Sequence, residues 1–148
     1  MSFESLLNEK KIERVEKREF IADSAERSIE FAKTGIETGN YDEVMSIAYN
    51  AVFRLGTQLM NFMGFRAVGQ EHHKNMFEFL IQARLDDDLV YFFDNIRKKR
   101  NDFIYRNIEA ISKEEAEDIL DRAEYFVQKI RTFVQKIRTG VKNAKIKK

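Results

Sequence analysis

No proline occurs anywhere in the 148 residues, and glycine occurs only six times. These two residues interrupt helices and strands most often, so a chain poor in both holds a few long secondary-structure elements. Apolar residues recur at spacings of three and four, which is the helical repeat, and no stretch shows convincing strand alternation. Between residues 41 and 63 they are Val44, Ala48, Ala51, Leu55, Leu59 and Phe62. The pattern predicts an all-α protein.

The same spacing predicts where the helices begin and end. Gly39 and Gly64 are typical of helix C-termini, and Gly140 is the expected end of the last helix. Asn40-Tyr-Asp-Glu43 and Ser112-Lys-Glu-Glu115 have the form of capping boxes. Helices are expected over residues 3–14, 16–37, 41–63, 72–84 and 87–108, and from residue 112 onward.

Four main helices joined by short turns favour an up-and-down four-helix bundle with an additional short helix. We expect three regions in the chain. These are a short N-terminal helix or extension at 1–15, the helical bundle at 16–139 and a basic C-terminal tail at 140–148.

The composition excludes several classes of protein. Hydrophobic residues make up 43% and charged residues 34%, which is typical of a globular domain. The absence of cysteine excludes disulfides and thiol catalysis and fits a cytoplasmic setting. No apolar run is long enough to span a membrane, and the first twenty residues lack a signal-peptide core. The net charge of +1 predicts no partner by itself.

The C-terminal region is basic and repetitive. No acidic residue follows Glu124, so residues 127–148 form either a solvated helix end or a salt-sensitive phosphate-binding surface. Phe-Val-Gln-Lys-Ile-Arg-Thr occurs twice in succession, which spaces four apolar residues as a heptad seam. This seam packs either on its own bundle or against a second subunit. Its members are Phe126, Ile130, Phe133 and Ile137.

Arginines on the helix at 87–108 are the strongest candidates for a site. At 100° per residue, Arg100 falls inside the apolar arc, and Arg97 and Asn101 fall at its edge. Tyr105 follows on the same side as Asn101. A guanidinium among core positions is costly unless it is paired or lines a cleft. Either a carboxylate from another helix pairs with Arg100, or a polar cleft binds phosphate or nucleotide there.

The six residues from Arg100 to Tyr105 resemble the Arg-polar-x-x-x-His motif of the HEPN superfamily, with Tyr105 at the histidine position. Ala48-Tyr-Asn-Ala51 resembles the Tyr-Asn signature of the second helix. Gly64-Phe-Arg66, followed by His72-His-Lys74, resembles the family's glycine-aromatic-arginine loop and the histidine that opens the next helix. The resemblance extends over most of residues 16–130.

The resemblance implies a helical bundle that works as a homodimer. Members with the full motif are metal-independent endoribonucleases, often toxins or defence proteins paired with a nucleotidyltransferase antitoxin. The resemblance assigns Arg100 to the scissile phosphate and Asn101 to orientation of the phosphate or of neighbouring groups. Arg97 would join them in phosphate or RNA binding. Tyr105 would stand in for the catalytic histidine, although a phenol, with a pKa of about 10, is a poor base near neutrality.

The two histidines, His72 and His73, are adjacent in the sequence. Side chains that diverge by about 100° do not readily share one metal ion, so we expect no metal and no cofactor. Either a histidine caps or packs at the start of its helix, or His73 lines the cleft of Arg100 and supplies the missing imidazole.

Three functions remain open from the sequence. The chain is an RNA- or nucleotide-binding module in a toxin–antitoxin or defence setting, with ribonuclease activity weak or lost. Alternatively it is a non-catalytic helical dimerisation protein. The third possibility is an active ribonuclease that uses His73 or Tyr105.

Overall fold

A computed structural model describes residues 3–106 and 111–147, with side chains described for residues 3–101 and 111–140. Helices dominate, and the all-α fold class is confirmed. Two three-residue strands are the exception within this part of the chain. The elements in order are α1 (Glu4–Asn8), β1 (Ile12–Arg14), α2 (Asp23–Thr38), α3 (Tyr41–Met63), β2 (Phe65–Ala67), α4 (His72–Gln82), α5 (Asp87–Arg106) and α6 (Lys113–Lys147).

The N-terminal region differs from the predicted pair of helices. The first helix ends at Asn8 rather than residue 14, because the chain turns into β1, which pairs antiparallel with β2. A three-residue strand is too short to show alternation in the sequence. The segment before α2 is extended rather than helical, since its amides bond to the end of α3. The amide of Val15 donates to the carbonyl of Gly64 at 2.9 Å, and that of Arg18 donates to Asn61 at 3.1 Å.

Helix α3 is the centre of the bundle. It contacts α2, α4, α5, α6 and β2, so several of its sides are buried at once. Full burial of a large apolar side chain stabilises a fold by about 1.5–3 kcal/mol, and α3 contributes many such buried side chains. Its buried residues are Val44, Met45, Ala48, Tyr49, Ala51, Val52, Leu55, Gly56, Leu59 and Met60.

Helix α6 places its repeat against its own bundle. Phe126 and Ile130 are fully buried, and Phe133 packs partly buried against the same core. The interpretation that the heptad seam packs within the chain therefore fits these three positions. The predicted helix end at Gly140 is wrong, because α6 continues to Lys147. Glycine costs a helix only about 1 kcal/mol, which the neighbouring helical turns offset.

Helix ends are set partly as predicted. Gly39 and Gly64 follow α2 and α3 in the left-handed conformation, with φ of 78° and 92°. At α6 the capping box is present: the amide of Glu115 donates to Ser112 Oγ at 3.1 Å, and the amide of Ser112 donates to Glu115 Oε1 at 3.2 Å. The capping box predicted at Asn40 is wrong, since its side chain makes no cap bond and donates instead to Thr38 Oγ1.

The two capping motifs should respond differently to alanine. We expect Ser112→Ala to lower the free energy of unfolding by about 1 kcal/mol, because it removes the acceptor of a helix-terminal amide. Asn40→Ala should change it by no more than about 0.5 kcal/mol, since no cap is lost there. Urea unfolding of the two variants beside the unmodified protein measures both values. Equal losses at the two positions would contradict this assignment.

Candidate functional site

A tyrosine and a histidine from neighbouring helices form the centre of the site. Tyr49, in the middle of α3, is fully buried, and its hydroxyl lies 2.8 Å from Nδ1 of His73 in α4. The His73 ring also stacks on Phe53, one turn along α3, with ring centroids 3.8 Å apart. The imidazole is thereby held in position by one hydrogen bond and one ring face.

Arg100 reaches this pair from α5. Its guanidinium carbon lies 5.4 Å from the centroid of the Tyr49 ring. Its Nε is buried and has no hydrogen-bond acceptor among the described residues. No carboxylate in the described part of the chain pairs with it, so the expected ion pair with another helix is not found there. An unsatisfied buried donor costs about 1–3 kcal/mol.

Arg97, one turn earlier on α5, is held differently. Its Nε donates to Asp94 Oδ1 at 2.8 Å, and both side chains are largely buried, with 16% and 21% exposed. Asp94 also lies 3.9 Å from Lys98 Nζ. Asp94 therefore offsets much of the charge of Arg97, whereas no carboxylate among the described side chains does so for Arg100.

The surroundings keep the central pair uncharged near neutral pH. Burial, together with the positive charges of His72, Arg100 and Arg97, lowers the pKa of His73 to about 4. Burial also raises the pKa of Tyr49 well above its usual value of about 10, against the opposing effect of the two arginines. At pH 7 the site thus presents a neutral imidazole, a neutral phenol and two guanidinium groups.

The Tyr49–His73 bond determines which proton the imidazole carries. If the phenol donates to Nδ1, Nε2 carries the proton and is itself a donor. If Nδ1 donates to the phenol oxygen, Nε2 is free to accept a proton. The cluster can therefore hold an oxyanion by arginine and imidazole donors, or place an imidazole base beside it.

Asn101 and Tyr105 are the remaining residues predicted for the site. Asn101, predicted at the edge of the apolar arc, is exposed. The side chain of Tyr105 lies outside the described residues. His72 is exposed, with Nδ1 3.1 Å from the carbonyl oxygen of Gly69, and its ring meets that of His73 edge to face with centroids 4.7 Å apart. No group of three potential metal ligands occurs among the described residues.

Sequence reasoning gave no role to Tyr49, Phe53 or Asp94. In the sequence, Tyr49 stands out only as part of the Tyr-Asn signature, although helical spacing predicts that Phe53 lies beside it. Phe53 follows it by four residues and so lies on the same face of α3. Asp94 precedes Arg97 by three residues, a spacing at which helical side chains form ion pairs.

The sequence matches the HEPN domain family over residues 19–133. This chain belongs to the HEPN family. The matched region begins before α2, ends within α6 and includes every residue of the cluster, whereas α1 and β1 precede it. HEPN modules are often associated with ribonuclease or nucleotide-related activity.

No curated protein and no solved structure matches this HEPN chain. No helix in the described part of the chain has the length and apolar character needed to cross a membrane.

Proposed function

We propose that this HEPN domain binds RNA, or the phosphate of a nucleotide, at the cluster of Arg97, Arg100 and His73. The observation that carries the proposal is the guanidinium of Arg100, whose Nε is buried without an acceptor among the described residues. A phosphate oxygen would supply the missing acceptor, and a planar guanidinium matches phosphate geometry. Asn101, exposed beside Arg100 on α5, would contact the sugar-phosphate backbone of the same RNA.

The expected setting is cytoplasmic, as part of a toxin–antitoxin or defence system. In that setting the domain works as a homodimer, and a nucleotidyltransferase is its natural protein partner. The cytoplasmic setting rests on the absence of cysteine, and the other features rest on the resemblance described above. The acceptor-free Nε weighs against the purely structural alternative, in which the arginines only stabilise a dimer.

Single-stranded RNA binding measured by fluorescence anisotropy in EDTA tests the proposal. Arg100→Gln should weaken binding about tenfold and reduce the slope of log K against log salt by about 0.7, the value for one phosphate contact. Lys98→Gln removes the same charge from an exposed position on α5 and should change affinity less than about threefold. RNA binding that is unchanged in Arg100→Gln would refute the proposal.

A metal-independent endoribonuclease is the second candidate, favoured by the position of His73. Its ring lies close enough to Arg100 and Arg97 for both charges to lower its pKa. In the tautomer with Nε2 unprotonated, His73 could take the proton of a ribose hydroxyl while Arg100 holds the phosphate.

Cleavage of single-stranded RNA in EDTA tests this second function. We expect His73→Gln to lower the rate at least about a hundredfold, the scale of general base catalysis, while RNA affinity changes little. His72→Gln is the matched control, because His72 is the neighbouring imidazole but is exposed, and its Nδ1 lies against the backbone carbonyl of Gly69 rather than the Tyr49 hydroxyl. Tyr105→Phe tests whether the phenol of Tyr105, rather than His73, acts as the general base. An unmodified protein that binds RNA without cleaving it would remove the ribonuclease candidate and leave the binding proposal intact.

A further inference from the structure

A basic groove, separate from the cluster of Arg97, Arg100 and His73, lies between α2 and α3. It is an open surface groove of about 410 Å³, lined by Ser24, Arg27, Ser28 and Phe31 from α2 and by residues that include Arg54 from α3. Two arginines but no carboxylate line this Arg27–Arg54 groove. Its electrostatic character therefore suits an anion.

Arg54 is fixed in the groove by neutral partners. Its Nη1 donates to Ser24 Oγ at 2.8 Å, and its Nη2 donates to Ser28 Oγ at 2.7 Å. Several other arginines in the described structure pair with carboxylates, as Arg97 does with Asp94 and Arg122 does with Asp118. Arg54 is thus oriented while its charge stays uncompensated, which is the arrangement of a prepared anion site.

The two serines add donors to the groove. Each hydroxyl oxygen accepts a hydrogen bond from Arg54, so each hydroxyl hydrogen is left to be donated elsewhere. Asn50, one turn before Arg54, lines the same groove and carries two further amide donors. Guanidinium, hydroxyl and amide donors together can satisfy several oxygens of one phosphate group.

An aromatic ring stands beside these donors. Phe31 follows Ser28 by three residues and Arg27 by four, so the three lie on one face of α2. Phe31 is 66% exposed, which is unusual for phenylalanine because it leaves a large apolar ring in contact with water. A nucleobase stacked on such a ring gains about 1–3 kcal/mol without sequence preference.

We propose that the Arg27–Arg54 groove binds a nucleoside phosphate, with the phosphate on the two arginines and the base against Phe31. This is a second site, beyond the proposed function at Arg100. Residues 50 and 54 are each one position from Tyr49 and Phe53 and so point about 100° away from His73. The phosphate can belong to a free nucleotide or to a unit of single-stranded RNA.

Calorimetric titration with AMP and with inorganic phosphate tests the groove. Arg54→Gln should weaken AMP binding about tenfold, whereas Arg18→Gln, which removes one charge from an exposed position outside the groove, should leave it unchanged. Phe31→Ala should weaken AMP binding about tenfold and leave inorganic phosphate binding as it was. AMP affinity that is equal in Arg54→Gln and Arg18→Gln would overturn the proposal.

Two further measurements separate the possible occupants. Single-stranded RNA that displaces AMP identifies an RNA unit as the ligand, and RNA that fails to displace it identifies a free nucleotide. Sedimentation of Phe31→Ala detects the competing occupant, a second copy of the chain. Dissociation of a dimer by this variant, in a protein that binds no AMP, would refute the proposal. Loss of RNA binding in Arg100→Gln with AMP binding intact separates the two sites.

Discussion

Replacing Arg100 by methionine should make the protein more stable and bind RNA less tightly. Nε of Arg100 has no acceptor among the described residues, which costs the folded state about 1–3 kcal/mol, and the contact with the Tyr49 ring returns about 0.5–1 kcal/mol. Methionine keeps the apolar stem of the side chain and removes the charge. We expect a gain of about 1 kcal/mol in the free energy of unfolding and an RNA affinity lower by about tenfold or more.

Thermal unfolding and RNA binding measured on the same preparation check this prediction. A gain of about 1 kcal/mol raises the melting temperature by about 2–4 °C in a domain near this size. Arg97→Met is the matched control on the same helix. It leaves Asp94 without its partner in a largely buried position, so it should destabilise the fold. A stability loss in Arg100→Met comparable to that of Arg97→Met would show that Arg100 is structural.

The second large effect is a loss of stability in mild acid caused by His73. Its pKa is about 4 in the folded protein and about 6.5 in the unfolded chain, so the unfolded state binds the proton first as pH falls. The stabilising contribution is complete above pH 6.5 and is lost as pH falls towards 4. Because the ring is only partly buried, we expect the loss to be about 1–2 kcal/mol.

Urea unfolding of the unmodified protein and of His73→Gln, at several pH values between 7 and 4, isolates this effect. The variant lacks the titrating ring, so the difference in stability between the two proteins should shrink as pH falls. Carboxylates titrate equally in both proteins and cancel in the difference. His72→Gln should keep most of the effect, because burial, the main cause of the lowered pKa of His73, remains when the charge of His72 is removed. A difference that stays constant over this range would contradict the assigned pKa.

The bundle was predictable because it depends on repetitive local signals. Each of these signals involves residues that are close together in the sequence. They are the apolar spacing along α3, the glycines at 39 and 64 and the capping box at Ser112. The pairing of β1 with β2 was not predictable, since each strand is three residues long and its partner is far away in the sequence. Asn40 shows a different limit: its side chain bonds to Thr38, two residues before it, and the capping pattern does not indicate which of two local bonds will form.

The site was predictable only in outline. A helical wheel places Arg100 among apolar positions, yet it cannot tell which groups face it from α3 and α4. Whether a carboxylate or the Tyr49 ring meets the guanidinium depends on how three helices pack. The depressed pKa of His73 has the same origin, because its main cause is burial by neighbours distant in sequence.

The small sheet has a consequence for how the chain is made. Ile12 pairs with Ala67, and Arg14 pairs with Phe65, so β1 has no partner until β2 has been synthesised. Closing so long a loop is entropically costly, and such contacts form after local helices. The first fourteen residues therefore emerge from the ribosome before the surface that receives them exists. The amide of Val68, in the loop leading to His72 and His73, donates to the carbonyl of Lys11 at 3.0 Å, so we expect this loop to reach its final position only after that late pairing.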